Sequence, residues 1–448
     1  MKDTNPPHQI KKAKVSLQTA IAVVVANMIG TGVFTSLGYQ AKATPSAFPI
    51  LMLWLVGGIV ALCGALSYGE LASRFPRSGG EYHYLSRIYH PVIGFLSGWV
   101  SMTVGFAAPV ALSAVAFGTY FFSVFPWASI QTYAVVVLIF ITLIHLRSVE
   151  LSGIFQNYST GIKVGFLLFF IGLGFWLAPA PLIHTLKIRN GDWDLVFSGG
   201  FAISLAFVSF AYSGWNASAY IANEVNKPHI NVSRSLLIGA GLVATLYLLL
   251  HIVFLTTLNL EELASMQAAN PEPIDVGYLS AKVFLGDAGA KMMAFMIAII
   301  LVSSISAMTW AGPRVSQVIG EDLQLFHFFA YKNPGGVPTY AILFQSSVAL
   351  ILILSASFES ILYAIAFILD TFTFLTVLGL ILAKSKGLYD HTPTYKTWGY
   401  PFVPLIFLAG TGWTMYFLLK SRTYESMASL LWLFIGYIVY RFSKKNKL

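Results

Sequence analysis

The chain has 448 residues, of which 57% are hydrophobic, 15% aromatic and only 10% charged, with a mean hydropathy of +0.73. That balance excludes a water-soluble globular domain. The net charge of +9 would suggest nucleic acid in a soluble protein, but membrane topology explains it better here, and no nucleic-acid partner is expected.

Residues 1–15 are polar, basic and proline-containing and read as a cytoplasmic N-terminal tail. A hydrocarbon core about 30 Å thick takes roughly 20 helical residues to cross. Twelve stretches of suitable length follow, near 16–37, 48–72, 92–121, 129–146, 157–178, 199–222, 235–257, 291–312, 339–356, 359–383, 401–419 and 426–441. The first has no cleavage-site pattern and reads as a retained span. Residues 442–448 form a second short tail, so 16–441 is expected to be a single all-α transmembrane domain.

Two stretches are interrupted by glycine. The first carries Ile29-Gly30-Thr31-Gly32-Val33-Phe34 and the sixth carries Phe210-Ala211-Tyr212-Ser213-Gly214-Trp215-Asn216. At membrane depth irregular backbone survives only where protein or a water-filled cavity satisfies it. Breaks at the head of spans one to five (16–178) and again at the head of spans six to ten (199–383) form the hydropathy pattern of two inverted five-helix repeats. Spans eleven and twelve (401–441) fall outside that scheme.

Between the spans, two connections are long, 178–198 and 258–290; the second mixes Glu261, Glu262, Glu272 and Asp275 with apolar residues and reads as short helices forming a lid or a passive cap. With a cytoplasmic N-terminus, 19 of the 27 basic residues fall on the inner side and 7 on the outer. This bias puts both termini in the cytoplasm. Cys63, the only cysteine, lies in an apolar run, so no disulfide is expected.

A broken helix exposes carbonyls where its first half stops and N–H groups where its second half starts, with opposite partial charges. The turn Gly30-Thr31-Gly32, running on to Val33, is therefore a candidate to hold a carboxylate. Carbonyls near Ile29, or from Phe210, Ala211, Tyr212 and Ser213, are candidates for an ammonium group. Together they would read the zwitterion of a free amino acid with main-chain atoms. The bland alternative is close helix packing through small residues; the polar cluster Ser213 to Asn216 within an apolar run weighs against it.

Lys163 sits in the fifth span, six residues from its predicted start. An ionisable group at membrane depth is by default a functional candidate, here for gaining and losing a proton during transport. The alternative is a lysine reaching the headgroups. Asp370 either lines a pathway or makes a polar contact between helices, and Glu70 is expected to pair with Arg74 or Arg77 at the inner surface.

Several segments together resemble the amino acid-polyamine-organocation superfamily of permeases. They are the Ile29–Phe34 turn, the run from Tyr68 to Tyr82 with Pro76-Arg77-Ser78-Gly79-Gly80-Glu81, Phe210 to Asn216 followed by Asn223-Glu224-Val225-Asn226-Lys227-Pro228, and Ala311-Gly312-Pro313-Arg314. The resemblance implies a leucine-transporter fold with discontinuous helices one and six, and alternating access. It implies that Phe210 is an aromatic gate and that Gly30, Thr31 and Gly32 form the carboxylate-binding turn. Lys163, with Ser304 beside it, would take the place of a sodium ion found in sodium-coupled relatives.

The expected function is thus sodium-independent, secondary-active transport of neutral amino acids across the cytoplasmic membrane, with protons as the candidate coupling ion. Neutral side chains are favoured because spans one, three, six and eight hold no Asp or Glu to meet a desolvated cation. The alternative is an exchanger that includes cationic amino acids or polyamines. No cofactor and no metal are expected, and the outer loop after span three lacks the cysteine that would tether a heavy subunit, so the protein is expected to act as a monomer. An intramembrane enzyme is disfavoured, since no histidine pair has metal-binding spacing and no nucleophile stands beside a base. A channel is disfavoured by the lack of a filter motif or ring of charge.

Overall fold

A backbone surrounded by lipid must satisfy its own polar groups, and helices do this within each segment. The computed structural model, which describes residues 15–177, 187–269, 274–355, 359–421 and 423–445, is accordingly all-helical over those residues. The one strand-like pairing among them is an isolated bridge between Val15 and Val225. Nearly all of the N-terminal tail, nearly half of the connection after Leu177, Glu272 and the last three residues lie outside that set.

Among the described residues nine helices are long and apolar enough to cross a bilayer, and three shorter apolar ones cover Ile130–His145, Gly199–Tyr212 and Thr339–Ser355. Local chemistry sets several starts. Ser16 accepts from the Thr19 N–H, Ser129 from Thr132 and Ser198 from Phe201, which satisfies donors that the first turn leaves free. Pro91 opens another helix at a position where its missing N–H costs nothing.

Several spans exceed their predicted limits. Lys163 lies well inside a helix that runs from Val149 to Leu177 instead of starting at 157. Helix Val276–Asp322 is 47 residues long and is divided at Gly286, whose φ of 66° is non-helical. Of the short helices expected in 258–290, Leu260–Ala269 is one, while from Val276 onwards this stretch already belongs to the long helix. A π-turn at Ser101–Gly105 interrupts the third predicted span between Pro91–Val100 and Ala107–Val124.

Helix Ala47–Arg74 packs along Pro228–Thr257 and across Gly199–Tyr212. Glycines make the crossing close: a side-chain carbon at Gly57 would fall 2.5 Å from Val208 Cγ1, and one at Gly64 would fall 2.6 Å from Trp215. Val15 pairs with Val225, and near the other terminus Tyr440 packs with Phe95, Tyr220 and Phe326. Val15 and Tyr440, close to the two ends of the described chain, therefore lie at the same end of the molecule. That end is held by ion pairs from Arg77 to Glu321 and Asp322, by the Tyr82 hydroxyl on Asp322, and by buried Arg314 on Glu224. Glu70 takes Arg74 and Lys384, while Arg77 turns away to the long helix.

Candidate functional site

The first helix stops after Met28, and Ile29 adopts an extended conformation before helical backbone resumes at Gly32. The sixth apolar stretch stops after Tyr212, and Gly214 takes φ = 90°, a left-handed conformation suited to glycine. The two breaks touch. A side-chain carbon at Gly32 would lie 3.1 Å from Ala211 Cβ, and one at Gly214 would lie 2.9 Å from the carbonyl carbon and oxygen of Asn27. Each break thus uses a glycine to admit the other.

One hydroxyl joins them. Tyr247 Oη lies 2.7 Å from the Met28 carbonyl and 3.1 Å from the Ala211 carbonyl, so its single proton sits between the ends of both first halves, closer to Met28. The Met28 carbonyl also accepts from the Gly30 N–H at 3.1 Å. Tyr247 is completely buried, against Trp54 and Tyr212.

Lys163 and Ser304 close the end of the first helix. The Lys163 ammonium lies 3.1 Å from the Ala26 carbonyl, 2.7 Å from the Ile29 carbonyl and 2.8 Å from Ser304 Oγ. The Ser304 hydroxyl donates in turn to Ile29 at 2.8 Å. Three ammonium protons therefore meet three acceptors, and a cation sits at the negative end of a helix. Lys163 has no solvent exposure, which excludes contact with headgroups.

Of the other candidates, Gly30, Thr31 and Gly32 are half-buried, and nothing lies within 4 Å of where a Gly30 side chain would start. Val33 is buried, as are Ala211 and Tyr212, whereas Ser213 is exposed and Phe210 is 45% exposed. A cavity of about 170 Å³ begins at the sixth-span break, with Asn27, Tyr212, Ser213 and Gly214 in its wall, and extends past Phe106 to Glu81 and Asp370. Tyr212 and Ser213 are the predicted binding residues that line it; Ile29 to Val33 and Phe210 do not.

Two contributors escape the sequence reading, Tyr247 and the burial of Glu81. Tyr247 is one tyrosine in an apolar run, and its only sequence signal is a hydroxyl at membrane depth. Glu81 falls between spans, yet it is buried and accepts from Tyr68 and Asn216, each at 2.7 Å. Asp370 faces the cavity and also lies 3.5 Å from Thr414 of the following helix. The cavity thus carries two carboxylates, although spans one, three, six and eight supply none.

A profile of the amino acid permease family matches residues 15–447. The serine/threonine exchanger SteT of Bacillus subtilis (strain 168) is 24% identical over 97% of this chain and 98% of its own length. The b(0,+)-type amino acid transporter 1 of Homo sapiens is 27% identical over 83% of this chain and 76% of its own. The large neutral amino acids transporter small subunit 2 of Mus musculus is 28% identical over 89% and 75%. With a family match spanning nearly the whole chain and two glycine-bearing breaks packed against each other, this protein belongs to the amino acid permease family.

Proposed function

We propose that the protein is a sodium-independent, secondary-active transporter of amino acids that works by alternating access. The observation that carries this reading is the contact of the two breaks, Gly32 on Ala211 and Gly214 on Asn27, beside one cavity. Free N–H groups at Thr31 to Val33 would hold the substrate carboxylate. The ammonium would be met by carbonyls of the sixth-span break, because the Ile29 carbonyl already accepts from Lys163 and Ser304. Ser213 and Tyr212 bring no charge to this part of the wall, which favours neutral side chains as the common substrates.

In this reading the chain crosses the cytoplasmic membrane twelve times, as two inverted five-helix repeats (about 16–178 and 199–383) and two further helices (401–441). Nine long and three shorter apolar helices support the number, and Val15 and Tyr440 at the same end support its being even. The 19 to 7 distribution of basic residues favours that end as the cytoplasmic one. The lone thiol of Cys63 is buried, so the chain has no exposed cysteine to tether a second subunit through a disulfide. The name of the SteT relative favours strict exchange as the second reading. Lys163 would then report substrate state at the break without proton coupling.

Reconstitution into proteoliposomes tests the proposal. Saturable counterflow of an amino acid, independent of sodium, is expected, and a thermal-shift screen of the common amino acids at two pH values would identify it through ligand stabilisation. Phe210→Ala should lower that uptake if the ring closes over the substrate. Flux that does not saturate, or the absence of flux with every amino acid tested, would overturn the reading.

A further inference from the structure

Asp370 and Glu81 face the same cavity but are held very differently. Glu81 Oε1 accepts from the Tyr68 hydroxyl and the Asn216 amide, each at 2.7 Å. These two good hydrogen bonds explain how a carboxylate is tolerated at 3% exposure. Asp370 has nothing comparable. The nearest donor to its carboxylate among the described residues is Thr414 Oγ1, at 3.5 Å from Oδ2. That hydroxyl has a single proton and a better acceptor, the Thr411 carbonyl at 2.8 Å. Among the described residues the ion pairs of the chain do not include Asp370.

A half-buried carboxylate with one long donor contact and no cation is only partly compensated, and the remaining cost is recovered when a cation arrives. The wall around Asp370 is polar but uncharged, with Thr373, Thr411 and Thr414 beside the aromatic rings of Phe106 and Phe407. Threonine hydroxyls and aromatic faces suit the flanks of an ammonium or a guanidinium. The same cavity is lined by the sixth-span break, through Tyr212, Ser213 and Gly214. A solute whose α-carbon groups are held there would send its side chain across the cavity towards Asp370.

We propose that Asp370 is the cation-accepting end of the side-chain subsite, and that it extends the substrate range to amino acids ending in an ammonium or guanidinium group. This rests on the reading that the breaks hold the α-carbon groups. Neutral side chains still fit, because they leave room for water at the carboxylate. A cationic one replaces that water with an ion pair inside a partly desolvated site, where the pairing is strongest.

Proteoliposomes showing counterflow of a neutral amino acid provide the test, with L-lysine, L-ornithine and the uncharged L-norleucine as competitors at fixed pH. In the unmodified protein lysine is expected to compete. Asp370→Asn should weaken lysine by about tenfold or more, as expected for losing one partner of a desolvated pair, and norleucine by less than about twofold. Asp370→Glu keeps the charge on a longer arm and should shift preference from lysine towards ornithine, which keeps the proposal testable where the Asn variant does not fold. The proposal is overturned if lysine fails to compete at large excess in the unmodified protein. It is also overturned if Asp370→Asn weakens lysine and norleucine together, leaves lysine unchanged, or if Asp370→Glu leaves the lysine-to-ornithine ratio where it was. Absence of counterflow with every amino acid removes the transport reading and the subsite with it, whereas failure of lysine alone removes only the subsite.

Discussion

The Lys163 ammonium lies 2.7 Å from the carbonyl of Ile29, the residue at which the first helix stops. It thereby ties the Val149–Leu177 helix to a helix end that has no N–H partner of its own. Replacing it with Met removes a buried charge together with its bonds, and the two changes oppose each other in stability. Lys163→Met should therefore fold, with an apparent melting temperature near that of the unmodified protein, while losing most uptake and its dependence on pH. Accumulation that still follows a proton gradient in this variant would remove the coupling role.

Tyr247→Phe tests the bridge between the breaks. The variant keeps the packing against Trp54 but removes the one hydroxyl proton that the Met28 and Ala211 carbonyls share, while Met28 keeps its bond from the Gly30 N–H. A loss of about 1–3 kcal/mol is expected from the unmade bonds. Uptake should fall more than binding does if the bridge couples the movement of the two broken helices. A thermal-shift titration beside an uptake assay separates these effects.

Gly214 and Gly30 should respond differently to alanine. At Gly214 the left-handed backbone and the nearby Asn27 main chain both oppose a side chain, so Gly214→Ala should destabilise the fold by more than the roughly 1–2 kcal/mol that the left-handed conformation alone costs. At Gly30 a methyl group enters open space. Gly30→Ala should melt like the unmodified protein and raise KM severalfold if the substrate carboxylate sits at that turn. An unchanged KM would place the carboxylate elsewhere.

Asp275, in the outer connection, accepts from the Tyr278 N–H at the start of the long helix. Burial pushes its carboxyl up from 3.8 to about 6, against the opposing effect of that hydrogen bond. A raised carboxyl favours the protonated form in the folded state, so the contribution of Asp275 to stability is greatest below about pH 4, falls as pH rises towards about 6 and levels off above. Asp275→Asn keeps an acceptor for Tyr278 and has no proton to lose. It should match the unmodified protein near pH 4 and exceed it at pH 7–8 by up to about 3 kcal/mol, measured as apparent melting temperature against pH. A parallel pH profile for the two proteins would refute this.

Features that announce themselves locally are legible in the order of the residues. Gly30, Gly32 and Gly214 mark interruptions because glycine and neighbouring polar residues are out of place in an apolar run. Lys163 stands out for the same reason. The pairing of Glu70 with Arg74 follows from four-residue helical spacing, and that pair forms at 2.9 Å. Arg77, just beyond the helix end, loses this periodic constraint and reaches residues more than two hundred positions away. The rotation of the tenth predicted span is equally non-local, so periodicity does not tell whether Asp370 faces lipid, a neighbour or the cavity.

Hydropathy and the need to satisfy every peptide group inside lipid were enough, from the residues alone, to set the membrane character of this chain, the approximate helices and the two places where they break. Both constraints act over a single turn or a single span. Only the tertiary arrangement decided that Tyr247 bridges both breaks, that Lys163 caps the first of them, and that Glu81 and Asp370 share a cavity with the second. Those relationships depend on which faces of distant helices meet, a matter of side-chain shape across the whole bundle rather than of order along the chain.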